Sequence, residues 1–194
     1  MTKLAESSAR RARTGDNARD ALLAATAEIA HSQGLAAITI QAVIDRARIT
    51  RGCLFHHFPT KEALIDEMVV AQFGKLDDAI ALLTSERTLP GFPFTGAYIG
   101  LIFGMAGTSA RTAWDIVMGA SPSDRMIRHK LHRWISRQQI AHGERSDDTS
   151  AALARFAADG AGMRHAGEDA RSPLLARLHR QLVETLLKDH PAAA

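Results

Sequence analysis

Cysteine is almost missing: Cys53 stands alone among 194 residues. One thiol excludes a disulfide framework and a cysteine-based zinc site. Proline is scarce too, and most of the six fall in segments that already read as breaks, which leaves room for long helices. No alternating apolar–polar pattern marks a strand, and nothing repeats. Long apolar runs are lacking: the longest, 97–106, is interrupted by glycines and too short to span a bilayer. The first 15 residues are basic but hold no apolar run of the kind a secretory signal needs. A cytoplasmic, soluble protein is the expectation. The chain does have 46% hydrophobic residues, enough for a proper core and too many for wholesale disorder.

Net charge is +3, and where it sits says more than its size. Residues 1–60 carry eight Lys/Arg against five Asp/Glu, whereas 61–194 carry sixteen of each. The whole excess lies in the first third, as expected of a segment that faces phosphate. Residues 1–14 show no periodicity, carry Arg10, Arg11 and Arg13, and are expected to form a disordered basic arm.

A first helix is predicted over 17–33, with Asp16 as its N-cap, Leu22, Ala25, Ile29 and Ala30 as its apolar stripe, and Gly34 as its end. Two very short helices follow. Thr39 caps 40–47, with Ile38 before the cap and Val43 at the fourth helical position, the spacing of a hydrophobic staple. Eleven residues later Thr50 caps the next, with Ile49 and Leu54 in the same relation, and Pro59 makes that helix end by Phe58. Thr60 then caps 61–83. After a break at 84–94, where Pro90, Gly91 and Pro93 cluster, helices are predicted over 95–119, 123–142, 148–165 and 172–189. The fold class is all-α: a three-helix helix-turn-helix domain over 15–64 and a helical bundle over 65–194.

Two short helices joined by a tight turn and packed on a longer one present the second short helix to a major groove. In Ile49-Thr-Arg-Gly-Cys-Leu-Phe-His-His-Phe58, Leu54 and Phe58 point inward, toward Ile29, Val43 and Ile44. Thr50, Arg51, Cys53, His56 and His57 are left facing out, and Gly52 lets the helix start approach a phosphate closely. Cys53 with His56 three residues on admits a thiolate reading, but without a pocket or an orienting third group it makes no catalytic site. No enzyme activity is expected.

The segment running on through Pro59-Thr-Lys-Glu-Ala-Leu64 resembles the tetracycline-repressor (TetR) family of bacterial regulators, over roughly 18–64. The resemblance implies that Thr39 and Gln41 on the first short helix, and Thr50, Arg51, Cys53, Phe55 and His56 on the second, touch DNA. It also implies that Lys61 pairs with a phosphate. Thr hydroxyls and the Lys ammonium suit phosphate, while Arg51 and Gln41 carry the donors and acceptors to read base edges. Three positions depart from the family pattern: Arg48 where glycine is usual at the turn, Ile44 where alanine is common, and Phe55 in place of tyrosine.

The resemblance further implies a homodimer through 148–165 and 172–189, and a ligand pocket in the C-terminal domain. Leu174, Leu175, Leu178, Leu182, Val183, Leu186 and Leu187 form a stripe broader than one core requires, and 151–162 is rich in small residues. Tyr98, Phe103, Met105, Trp114, Met118, Trp134 and Met163 are the pocket candidates, against the plainer reading that they are core. Gly96, Gly100 and Gly104 are expected on one helix face, where close helix packing is the favoured reading. His129 and His132 lie one turn apart without a third ligand at useful spacing, so no metal is expected, and no other cofactor. The function that follows is a transcriptional repressor bound to an inverted-repeat operator on double-stranded DNA and released by an unknown small-molecule effector. A redox sensor using Cys53 and a ligand-independent DNA-binding protein are the alternatives.

Overall fold

A computed structural model describes residues 2–86, 89–164 and 173–189, with side chains from residue 17 onward except that of residue 189. It is helical throughout: α1 Thr2–Gln33, a 3-10 turn Leu35–Ala37, α2 Ile40–Ala47, α3 Arg51–His57, α4 Lys61–Glu86, α5 Pro93–Ile102, α6 Thr108–Ala120, α7 Arg125–Ala141, α8 Thr149–Arg164 and α9 Pro173–Asp189. The chain divides into two compact units, Met1–Ala71 and Gln72–Ala194. The boundary falls inside α4 rather than at 64, because α4 runs unbroken past the last turn that belongs to the first unit. Among the described residues no helix is long and apolar enough to cross a membrane.

In the first unit α1 packs on α2 and α3. Leu22, Ile29, Ile38, Val43, Leu54, Phe58, Leu64 and Met68 are fully or almost fully buried. The backbone of α1 departs from expectation at its start, because helix continues back to Thr2 where a disordered arm at 1–14 is expected. Ala and Arg are strong helix formers, no proline intervenes, and Gly15 alone costs only about 1 kcal/mol.

In the second unit α5 lies at the centre, in contact with α6, α7, α8 and α9. Its run Phe94–Ile102 is apolar nearly all round, the signature of a helix with no solvent face. The single helix expected over 95–119 is two, because Gly104 and Gly107 take φ of 80° and 85° and turn the chain between α5 and α6. Gly104 therefore shares no helix face with Gly96 and Gly100. Beside those two, a Cβ on Gly96 would meet Leu89 Cβ at 2.8 Å and one on Gly100 would meet Met105 Sδ at 3.3 Å. Side chains from flanking segments, rather than another helix backbone, exploit the missing Cβ.

Both ends of α5 are satisfied from a distance. Phe92 has no side-chain oxygen to cap with, and Pro93 occupies the first turn. Glu144 supplies the cap instead: it accepts from Thr95 N–H at 2.6 Å and from the Thr95 hydroxyl at 2.7 Å. Arg155, itself buried, donates to Thr95 Oγ1 at 2.6 Å and lies 3.7 Å from Glu144. At the other end Arg111 donates to the Ile102 carbonyl and, at 3.0 Å, to that of Gly162. A second carboxylate fixes α4 to α7: Asp77 accepts from Trp134 Nε1 at 2.7 Å and Gln138 Nε2 at 2.6 Å, with Arg137 3.4 Å away.

Asp159 on α8 accepts from the Tyr98 hydroxyl at 2.8 Å. Burial pushes its carboxyl up from 3.8 to about 6, more than the hydrogen bond from Tyr98 and the charge of Arg155 pull it down. The folded chain thus holds the Asp159 proton more tightly than the unfolded chain does. This contribution is most favourable below pH 4 and is lost as pH rises from about 4 to above 6. Asp159→Asn, which keeps an acceptor for Tyr98 without the charge, is expected to raise stability at pH 7.5 by about 1–3 kcal/mol. At pH 4 it should change little; urea unfolding at both pH values measures the difference.

Candidate nucleic-acid interface

The turn between α2 and α3 fixes everything outward of it. Thr39 Oγ1 accepts from Ala42 N–H at 3.1 Å and Thr50 Oγ1 from Cys53 N–H at 3.3 Å, so both short helices begin on a side-chain cap. Thr60 repeats the device for α4, accepting from Ala63 N–H at 3.0 Å. Between α2 and α3, Arg48 adopts φ 55°, the left-handed conformation that glycine takes most readily. Its own N–H and that of Ile49 both reach the Ile44 carbonyl, which ends α2 and reverses the chain. The left-handed conformation costs a non-glycine residue roughly 1–2 kcal/mol.

With Leu54 and Phe58 fully buried, the opposite face of α3 is dictated by helical geometry. Arg51, Phe55 and His56 are exposed on it, as are Thr39 and Gln41 of α2, the Thr50 cap and Lys61 at the start of α4. Cys53 and His57, expected outward, are half-buried. Because each Thr hydroxyl accepts its cap bond through oxygen, its own proton is left to donate, as contact with a phosphate oxygen requires. A methyl placed on Gly52 would meet nothing within 4 Å. The packing of the chain itself does not call for glycine at this position.

Two side-chain contacts escaped the sequence reading, although i,i+4 spacing signals both. Gln41 Nε2 donates to Asp45 Oδ1 at 2.8 Å, which holds the amide in one orientation and uses one of its donors. The Arg51 guanidinium lies over the Phe55 ring at 5.7 Å from its centroid. Phe55, lacking the tyrosine hydroxyl, thereby braces the arginine beside it. Behind this surface the pairs Arg46–Glu28, at 3.2 Å, and Arg19–Glu67 tie α2 and α4 to α1.

The C-terminal candidates do not converge on one place. Tyr98, Trp114 and Trp134 are buried in an aromatic cluster with Phe94, with ring centroids 5.1 Å apart for Tyr98–Trp114 and 5.9 Å for Phe94–Trp134. Met118 is half-buried on α6. Phe103 lies edge-on to His179 at 5.5 Å and lines a cavity of about 390 Å³ along α9, together with Met105. Met163 is on the surface of α8. Leu153, Phe156 and Met163 are 62%, 72% and 55% exposed, at the 3-and-4 spacing that Gly160 completes on a single face. On α9 the broad leucine stripe divides: Leu175 and Leu186 are core, Val183 lines the cavity, and Leu174 is exposed with Leu178 and Leu182 half-exposed.

The model of bacterial regulatory proteins of the tetR family matches residues 22–68, and a tetracyclin repressor-like C-terminal domain matches 93–188. The HTH-type transcriptional repressor KstR2 of Rhodococcus jostii is 37% identical over 76 residues, 37% of either chain. Its counterpart in Mycolicibacterium smegmatis is 39% identical over 51 residues, 26% of this chain and 25% of that one. The chain thus aligns with about a third or less of the length of these curated relatives. A transcriptional regulator from Rhodococcus sp. Rha1 superposes with a TM-score of 0.64 at 19% identity, covering 88% of this chain and 96% of the other. A TetR transcription regulator from Haloarcula marismortui does so at 0.61 and 14% identity, with the same coverage. At such identities these two establish likeness of fold.

Gly52→Ala separates folding from recognition at this surface. The replacement is expected to leave the fold intact or stabilise it by up to about 1 kcal/mol, since alanine favours helix. DNA affinity is expected to fall if a phosphate approaches the helix start at Gly52, where the methyl would stand. Thermal unfolding and a DNA titration on the same sample measure the two effects.

Proposed function

The chain belongs to the TetR family of bacterial regulatory proteins, and from that premise we propose that it is a transcriptional repressor. It binds an inverted-repeat operator as a homodimer in the cytoplasm and is released by a small-molecule effector. The observation that carries the reading is the outward face of α2 and α3. Exposed Thr39, Gln41, Thr50, Arg51 and His56, with Lys61 at the start of α4, stand on two capped helices anchored by the buried Val43, Leu54 and Phe58. Thr39, Thr50 and Lys61 meet phosphates and set the register; Arg51 and Gln41 read base edges. The KstR2 proteins that match part of this chain bear the name of HTH-type repressors, which supports repression over activation.

Lys61→Ala is expected to weaken binding to all sequences alike and to lower the slope of log affinity against log salt by about one. Arg51→Ala should cost roughly 1–3 kcal/mol on the operator and relax preference at one position per half-site. Operator selection with each variant, repeated at several salt concentrations, tests both. An unaltered sequence preference for Arg51→Ala would leave that arginine with phosphate alone.

The exposed face Leu153–Phe156–Gly160–Met163 on α8, with Leu174, Leu178 and Leu182 on α9, supports dimerisation through these two helices. Two copies joined there present two recognition helices to one side of the duplex. An effector releases the operator if it binds more tightly to a conformation whose heads no longer match the groove spacing. Leu153→Glu with Phe156→Glu is expected to give a helical monomer with little operator affinity. Sedimentation and a DNA titration measure it, and a variant that stays dimeric would place the interface elsewhere. Leu186, fully buried, is unsuitable for this test because glutamate there would disrupt the monomer core.

A further inference from the structure

The cavity along α9 has a charged rim. His179, Arg180 and Glu184 line it with Val183, opposite Phe103 and Met105. Met105, His179 and Val183 also wall a narrower cavity of about 180 Å³, whose far side is Leu83, Ala97 and the bare backbone of Gly96 and Gly100. The narrower space is thus mainly apolar, and the two together have the volume of a small-molecule site. Leu89 and Met105, which border the space, pack directly on the bare backbone of Gly96 and Gly100, where a Cβ would meet them at 2.8 and 3.3 Å. The rim lies on the face of α9 opposite Leu174, Leu178 and Leu182, so a dimer built on those leucines leaves it accessible.

We propose that these adjoining cavities bind an aliphatic carboxylate, its chain in the apolar part and its head at Arg180 and His179. The inference rests on the effector-released reading above and names the effector's class. A carboxylate takes two N–H donors from the fork of one guanidinium, and no neutral head matches that pairing. Among the described residues Arg180 is engaged in no ion pair, although Glu184 stands one turn away. The charge of Glu184 opposes that of the ligand. This gives the proposal a sign that can be tested from both sides.

The test titrates the full-length protein, without DNA, with decanoate, 1-decanol and decylamine, followed by calorimetry. Decanoate is expected to bind at least about ten-fold more tightly than decylamine. Arg180→Met should abolish that preference while leaving 1-decanol unchanged. Glu184→Gln should strengthen decanoate several-fold and weaken decylamine. Both substitutions are at the rim, so neither threatens the fold. Val183→Trp, which puts a bulky ring at the wall the two cavities share, should weaken binding of all three probes. Decylamine binding as well as decanoate, charge variants without effect on decanoate, or no binding by any probe would each overturn the proposal. The parent reading is tested separately: a protein that binds its operator but ignores decanoate loses only the carboxylate site. One that binds decanoate but no DNA loses the repressor reading instead.

Discussion

Burial of Leu54 and Phe58 is the constraint on which the recognition surface depends. A helix of seven residues has no stability of its own in water, because nucleation costs more than so few hydrogen bonds return. α3 exists because two of its residues are wholly removed from solvent and because Thr50 satisfies an amide at its start. Once those two are fixed inward, the 100° step of the helix leaves no choice about what faces out. Arg51, Phe55 and His56 are presented as a consequence of packing on the other side. The left-handed turn at Arg48 completes the arrangement, and its strain is borne by the same buried contacts.

The second unit is organised around a different constraint. A helix apolar nearly all round must be surrounded, and α5 is in contact with four other helices. Glu144 and Arg111 complete the hydrogen bonding that the ends of α5 lack locally. Arg155 compensates the charge that Glu144 brings into the interior. At Asp159 burial outweighs the Tyr98 hydrogen bond and the charge of Arg155, and its carboxyl is driven upward. The aromatic residues that looked like a ligand box are spent on this enclosure. Open space borders α9 instead, lined by Phe103, Met105, His179 and Val183.

α4 links the two units as one continuous helix, with Glu67 paired to Arg19 in the first and Asp77 holding Trp134 and Gln138 in the second.

The sequence by itself determined the all-α class, the limits of α2, the threonine caps, and which residues of α3 face in. Each of these is a local matter, set by period, capping chemistry and proline within one or two turns. The turn at Arg48 was legible only through the resemblance, as a position where glycine is usual. The tertiary structure alone decided the division of α5 from α6, the long-range caps by Glu144 and Arg111, and the half-burial of Cys53. It also sorted the leucines of α9 into core, cavity and surface, and left Tyr98, Trp114 and Trp134 in the core with Met163 outside. An apolar side chain carries the same pattern in sequence whether it meets its own core, a cavity or a second molecule. Only the positions of residues distant in the chain tell these three apart.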